Sequence, residues 1–589
     1  MVKPKILLKK LKEKDLGKSK AKMKDKKAIK IAFNILAVFC IILFCMAITP
    51  KEYQNDTFYT IKIGQLIREN GIDYQDHFSW NENLPYMYPH WLYDVITSLI
   101  YDFLGGFTGI YITTIILSAL LGLALYITNK KISKNDLLSF ILTLGQMYIM
   151  KDYIAARAQL VTFILFVLTI FFIEKYLEKP KIKYALALIV IPIAIANIHS
   201  AVFPFYFILY LPYVGEYAIR VLLDWHLPHK IYALYLKMAI SRTNKRLKTV
   251  NKEKVQIYQN RLSNLNKKVE NSDLKFEKFI VKQNDRRKNP YKIKLERNDN
   301  TIGLIIIMLI CVFTGLLTPI KDMPYTYTYR IMQGNTTSNI NEHLPLTLIN
   351  NKDILISLTI MLGLLIFTKV KIRLRDLFFA GGLTLLALMS RRQVSMLTLF
   401  GGLVLSRLIS EIVAYYDKNG TEDFMDYMTT LVGEVLTILF IFLISYCLYK
   451  PTINAVYVNS SSYPVEASTW IKENLDYKNI KMFNDYNYGS YLLFEDIPVF
   501  IDSRCDLYTP EFNGTYNKNN KKYEGKDIFS DYINVSSLST DYDKKFEEYG
   551  ITHVMTKTNS KLNMFIAKDS NYKEIYKDSK FIIYERENK

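Results

Sequence analysis

Apolar residues in this chain are gathered into blocks of roughly 15–22, a length that crosses the hydrocarbon core of a bilayer as helix. Eleven blocks are read, at about 31–49, 106–127, 136–150, 158–177, 183–200, 201–222, 301–320, 353–369, 376–391, 393–412 and 428–449. Backbone amides have no water to bond to inside a bilayer, so each span closes its hydrogen bonds within itself as helix. The expected fold class is a polytopic α-helical membrane protein with about eleven transmembrane helices. The blocks at 136–150 and 376–391 are short and require local bilayer thinning or help from flanking residues. No cleavable signal peptide is expected: the N-terminus is basic for too long, and no small-residue cleavage site follows Met46.

The formal net charge of +21 would suit a nucleic-acid partner, but its distribution excludes one. Residues 1–30 carry thirteen Lys against Glu13, Asp15 and Asp25, and residues 223–300 carry twenty Lys or Arg against eight acids. These two segments account for the whole excess. Basic segments beside spans mark the cytoplasmic side and favour anionic membrane lipid. With the N-terminus inside, the loops 128–135, 175–183, 223–300 and 369–375 all fall inside and all are basic, whereas 413–427 falls inside and is acidic. The odd span count puts the C-terminus outside. The expected divisions are a basic cytoplasmic tail at 1–30, an N-terminal membrane module at 31–222 with an outer loop at 50–105, a basic cytoplasmic helical insert at 223–300, C-terminal membrane helices at 301–449, and an extracytoplasmic domain at 450–589.

Within the insert, Val255, Tyr258, Leu262, Leu265 and Val269 follow 3-4-3-4 spacing and predict an amphipathic or coiled-coil helix, read foremost as a solvated basic hairpin lying on anionic lipid. Trp91 to Gly106 is apolar but short and holds Asp94 and Asp102, so it is expected as a helix at the outer interface. After Lys450, short segments such as IKMFN, YLLF, IPVFID, HVMTK and FIIYER alternate with the helix-like VEASTWIKENL and DKKFEEYG, the pattern of a small α/β domain. There IPVFIDSRCDLY reads as a buried strand delivering Asp502 and Arg504 to its exit, as a binding site or as an internal ion pair, and Gly489 as a permissive turn. Of five cysteines, Cys40, Cys45, Cys311 and Cys447 fall in spans as small packing residues, while Cys505 is alone in the C-terminal region; no disulfide framework or metal cluster is implied.

On the expected outer side, six separate stretches deliver Asp56, His90, Arg157, Asn197, His199, Glu342, His343, Arg391 and Arg392. Ionisable groups at membrane depth are costly and usually line a cavity or pathway. Taken singly each has a plainer reading: Asp56 as a helix N-cap, an arginine snorkelling to headgroups, His199 as a packed histidine. Together they suit transfer of a sugar from a lipid-linked phosphate. A carboxylate takes the acceptor proton, arginines clamp the leaving phosphate, and histidine and Asn197 orient the reactants.

In sum the motifs ND (Asn55–Asp56), GQLIRENG, DHFSW, YPHWLYD, NIHS (Asn197–Ser200), INEHLP (Ile340–Pro345), SRRQV (Ser390–Val394), NDYNYGSYL (Asn484–Leu492) and VFIDSRCDLY (Val499–Tyr508) resemble the GT-C superfamily of integral-membrane glycosyltransferases, which includes protein mannosyltransferases and lipid A aminoarabinose transferases. The resemblance spares only 1–30 and 223–300. It implies hexosyl or pentosyl transfer from a polyprenyl-phosphate sugar donor, with inversion, to an envelope glycan, lipid or protein acceptor on the outer face of the cytoplasmic membrane. It makes Asp56 the catalytic base and His90, Glu342, Arg391 and Arg392 substrate contacts. Many members pair acids in the first outer loop; here Asn55 precedes Asp56, so no required metal and no other cofactor is predicted. Two non-enzymatic readings stand beside it: a transporter or flippase for lipid-linked glycans, and a catalytically inactive scaffold. A transporter is expected to show internal repeats or matched broken helices, and no convincing repeat is found.

Overall fold

A computed structural model describes residues 3–251, 254–288, 292–334, 340–417, 420–519 and 521–587. Among them six helices are long and apolar enough to cross a membrane: Lys26–Ile48, Phe107–Ser133, Ala158–Glu178, Ser200–Thr249, Arg391–Tyr416 and Leu431–Ile453. The chain is a multi-pass membrane protein. The other five expected spans are helices but shorter: Asp136–Met150, Ile182–Ile198, Thr301–Val312, Lys352–Phe367 and Leu374–Met389. At 1.5 Å per residue a 16-residue helix reaches only about 24 Å, so these five need thinning or help to cross. Residues 1 and 2 of the basic tail lie outside the described residues.

Two expected spans are broken. The run after His199 divides into Phe203–Ile208, Leu211–Trp225 and Leu227–Thr249, and each piece starts with a proline in its first turn. Proline lacks an amide N–H and fixes φ, so it begins a helix more readily than it continues one. The run after Gln393 contains one π-helical turn, Leu397–Gly401. The Gln146 side chain donates to the carbonyls of Thr398 and Leu399 at 3.1 and 2.9 Å, which supports that irregular turn.

Among the cysteines, Cys40, Cys45 and Cys311 are buried as expected, but Cys447 is exposed on the bundle surface and fills no core gap. Gly122 explains how tightly this core closes: a Cβ there would stand 2.7 Å from Cys45 Sγ. The insert folds as two helices, Leu227–Thr249 and Val255–Lys288, packed on each other. Val255, Tyr258, Leu262, Leu265 and Val269 form its half-buried stripe.

One end of the bundle gathers the basic loops. Lys131 pairs with Glu178, Lys130 lies 3.1 Å from Asp136, and the acidic segment near 420 belongs to the same end, through Lys26–Glu422 at 2.7 Å and Asn135–Thr421 at 3.0 Å. Glu422 of this acidic segment thus pairs with the basic N-terminal helix. Beneath these loops lies a buried network. Arg407 meets Asp376 at 2.5 Å and Glu174 at 2.9 Å, and Arg375 lies 3.6 Å from Glu296 and 3.8 Å from Glu216.

The C-terminal domain carries a four-stranded sheet. Met482–Phe483 runs parallel to His553–Lys557; Phe581–Arg586 is antiparallel to that strand and to Tyr572–Lys577 at the far edge. Val465–Asn474 and Tyr542–Tyr549 are helices as expected. YLLF is helical instead of extended, within Tyr486–Phe494. Gly489 therefore makes no turn; it admits a close contact, since a Cβ there would stand 2.0 Å from the Ile501 carbonyl oxygen. The IPVFID stretch is not a strand of this sheet. Its backbone pairs with the 50–105 loop: Trp80 donates to the Val499 carbonyl and Val499 to that of Phe78, both at 3.1 Å, while Asn81 Nδ2 donates to Phe500 O at 2.8 Å. Loop and domain are one packed unit over the end of the bundle opposite the basic loops.

Candidate functional site

The 50–105 loop builds the first wall of a cavity. The helix Asn55–Asn70 starts after the extended residue Gln54, with no side-chain cap. Asp56 lies inside the first turn, so it is not the N-cap; its carboxylate forms an ion pair with Arg157, the residue preceding Ala158–Glu178. The next helix, Trp91–Phe103, packs against Asn55–Asn70 so closely that a Cβ on Gly64 would stand 2.0 Å from the Asp94 carbonyl oxygen. That contact buries the Asp94 carboxylate completely. His90, the residue before this helix, places Nδ1 2.9 and 3.1 Å from the two Asp94 oxygens. Its Nε2 lies 3.3 Å from the Tyr59 hydroxyl, and the two rings stack.

The cavity has a volume of about 530 Å³ and is lined from the loop, the bundle and the C-terminal domain together. Of the nine residues expected on one face, it brings together seven: Asp56, His90, Arg157, His199, Glu342, His343 and Arg392. Arg157 also faces Glu342, at 3.5 Å, and so bridges two carboxylates. His199 is buried with Nδ1 3.1 Å from Thr162 Oγ1, its ring 6.3 Å from that of His90. Burial, with Arg392 nearby, holds the His343 imidazole below its usual pKa. Arg392 lines the cavity and makes no ion pair or side-chain hydrogen bond among the described residues.

Two expected residues lie elsewhere. Asn197 donates to the carbonyls of Ile193 and Leu317 at 2.8 and 2.9 Å and accepts from Trp91 Nε1 at 3.2 Å, so its amide is spent on tying helices together. Arg391 points to the Pro345 carbonyl at 3.4 Å, outside the cavity lining. In the C-terminal domain, Arg504 lines the cavity with its charge already satisfied. It meets Asp502 at 2.7 Å and Asp76 of the 50–105 loop at 2.6 Å, and lies against the rings of Phe78 and Tyr86. Asp502 itself is buried and accepts a further bond from Tyr508 at 2.7 Å. The Asp502–Arg504 pair is thus an internal ion pair extended by Asp76, and it fastens the domain to the loop.

Several lining residues were not foreseen. Asp506 is half-buried beside Tyr327, whose hydroxyl donates to it, and desolvation pushes its carboxyl above the usual aspartate range. Burial likewise pushes the Cys505 thiol well up, which excludes it as a thiolate nucleophile. Tyr86 Oη and Asn55 Oδ1 line the cavity, buried and without a hydrogen-bond partner among the described residues. Such atoms cost about 1–3 kcal/mol unless something pairs with them. The His90–Asp94 spacing, four apart at a helix start, was the one signal legible beforehand. Asp506 and Tyr86 carried none, because their neighbours come from distant segments. Among the described residues no three His, Cys, Asp or Glu side chains converge as a group of metal ligands, and Asp56 and Glu342 both face Arg157.

No family model matches the sequence, and no curated protein matches it. Solved structures do, among them two of the Archaeoglobus fulgidus oligosaccharyltransferase. The form tethered through a disulfide to an acceptor peptide containing the NVT sequon aligns at TM-score 0.49 and 11% identity, covering 94% of this chain and 74% of that one. The apo form aligns at TM-score 0.49 and 11% identity, covering 90% and 69%. Likeness at this level decides nothing about this chain, whose chemistry rests on its own residues.

Proposed function

We propose that the chain is a GT-C-type glycosyltransferase. It takes a hexosyl or pentosyl unit from a polyprenyl-phosphate donor and passes it to a hydroxyl of an envelope glycan, lipid or protein on the outer face of the cytoplasmic membrane. One observation carries this reading. A single cavity at one end of a membrane bundle combines a guanidinium with no ion pair among the described residues, Arg392, with a second on Arg157, carboxylates at Asp56 and Glu342, and imidazoles at His90, His199 and His343.

Guanidinium forks match phosphate oxygens and stabilise the charge that grows on them as the sugar departs. Arg392 is the natural first contact for the donor phosphate. The acceptor hydroxyl attacks the anomeric carbon from the opposite side, and its proton must go to a cavity-facing base. The cavity offers two groups for it, the Asp56 carboxylate, paired with Arg157, and the His90 imidazole. A sugar nucleotide suits the cavity less well as donor, because the orientation expected from the basic loops turns it away from the cytoplasm and no Gly-rich phosphate loop occurs in the sequence.

The test is sugar transfer in membranes containing the protein, supplied with extracted polyprenyl-phosphate sugars and envelope acceptors. The wild type is expected to extend the acceptor by one sugar and Arg392→Gln to lose that product. Acceptors left unextended by the wild type with every donor fraction would defeat the reading.

A further inference from the structure

The Asp94–His90 pair joins a cavity-lining imidazole to a carboxylate buried behind it. Asp94 is fully buried, and its neighbour of opposite charge character on the cavity side is His90. A buried carboxylate four residues along the same helix start fixes the imidazole in two ways. Burial pushes the Asp94 carboxyl above the usual aspartate range and the His90 ring opposes that; in its ionised form the carboxylate accepts from Nδ1 and holds the proton there. It also sets the ring plane, so that Nε2 turns toward Tyr59, a cavity-lining residue. Asp56, by contrast, has its carboxylate against the Arg157 guanidinium.

On the proposed glycosyl-transfer reading, we infer that His90 is the proton acceptor for the attacking hydroxyl and that Asp94 is its positioning residue. The Tyr59 hydroxyl, 3.3 Å from Nε2, occupies the place the acceptor hydroxyl takes. In the step, the acceptor oxygen forms a bond to the anomeric carbon while its proton passes to His90 Nε2. The bond from that carbon to the phosphate oxygen breaks, and its electron pair leaves with the lipid phosphate. The imidazolium is steadied by the Asp94 carboxylate and later returns the proton to water. Asp56 then serves as the counter-ion that keeps Arg157 in the cavity wall.

Two measurements test this. In protein labelled with ¹⁵N-histidine and held in nanodiscs, the His90 signal, assigned by its loss in His90→Gln, is expected to show a protonated Nδ1 and a bare Nε2. In Asp94→Leu that tautomer preference is expected to be lost. A bare Nδ1 in the wild type overturns the inference whatever the activity. In transfer assays His90→Gly is expected to lose about 10²–10⁴-fold in turnover, the usual worth of a general base, and added imidazole is expected to restore at least about a tenth of the loss. Formate is expected not to rescue Asp56→Ala. A folded His90→Gly that imidazole does not rescue, or an Asp56→Ala that formate does rescue, overturns it. If the wild type transfers no sugar at all, the function proposal falls and the catalytic role of His90 falls with it, while the tautomer result still decides the positioning geometry. If the wild type is active and imidazole fails, only the inference falls.

Discussion

The two ends of the helical bundle both bury charge, and they treat it differently. At the basic end, Arg373, Arg375 and Arg407 each meet at least one carboxylate, and Tyr213 adds a 3.0 Å bond to Glu174. At the other end the half-buried Arg392 meets no carboxylate among the described residues and Arg157 is shared between two acids; the ends differ in this charge pairing and not in unpartnered polar atoms, which both hold, Arg373 Nε and Arg375 Nε at the basic end and Tyr86 Oη and Asn55 Oδ1 at the other. A buried charge removed from water is tolerated when its pairing is complete. Where the protein leaves pairing incomplete, a ligand can complete it. The comparison therefore separates a scaffold from a site on physical grounds.

The largest expected effect breaks the scaffold. Arg407→Met leaves Glu174 and Asp376 buried without their shortest partner, at a cost of about 3–5 kcal/mol. Unfolding midpoints in detergent read it; a loss below about 1 kcal/mol would make the two ends alike. Arg392→Gln is the mirror case. Its stability is expected to stay within about 0.5 kcal/mol of wild type, while turnover falls about 10²–10³-fold through lost charge stabilisation. Unfolding as severe as that of Arg407→Met would place Arg392 in the scaffold.

Asn197→Ala sharpens the border between the two. Its amide ties Ile182–Ile198 to the Leu317 carbonyl and stays clear of the cavity. About 1 kcal/mol of stability is expected to be lost, with turnover unchanged in the membrane assay. A fall in turnover without a fall in stability would return Asn197 to the site.

The smallest effect concerns pH. The Asp506 carboxyl is held above its usual range by burial. The folded state thus keeps a proton that the unfolded chain releases near pH 3.9. The contribution to stability is full below that pH and is lost as pH rises through the folded value. Asp506→Asn is expected to flatten this slope in melting curves taken from pH 4 upward; an unchanged slope would assign it to another group.

Much of the site's membership was legible because span counting needs only hydropathy. Alternating spans carry Asp56, Arg157, Glu342 and Arg392 to the same end whatever the details between them. What stayed hidden depends on contacts that no local pattern encodes. Asp76 reaches Arg504 across 428 residues, and IPVFID pairs with the 50–105 loop although its composition reads as an ordinary sheet strand. Asn197 and Arg391 illustrate the opposite failure: both sit beside true cavity residues in sequence, and one residue's rotation on a helix end directs them elsewhere. The breaks in the run after His199 were readable in Pro204, Pro212 and Pro228, whereas the π-helical turn near Leu397 depends on Gln146 from another helix.

The most direct measurement is mass spectrometry of envelope glycolipids and glycans from cells with and without the protein. One class of glycan shortened by a single sugar in its absence, restored by the wild type and not by a folded Arg392→Gln, is the predicted result. Identical glycan profiles with and without the protein, or full restoration by Arg392→Gln, would contradict the assignment of the cavity to sugar transfer.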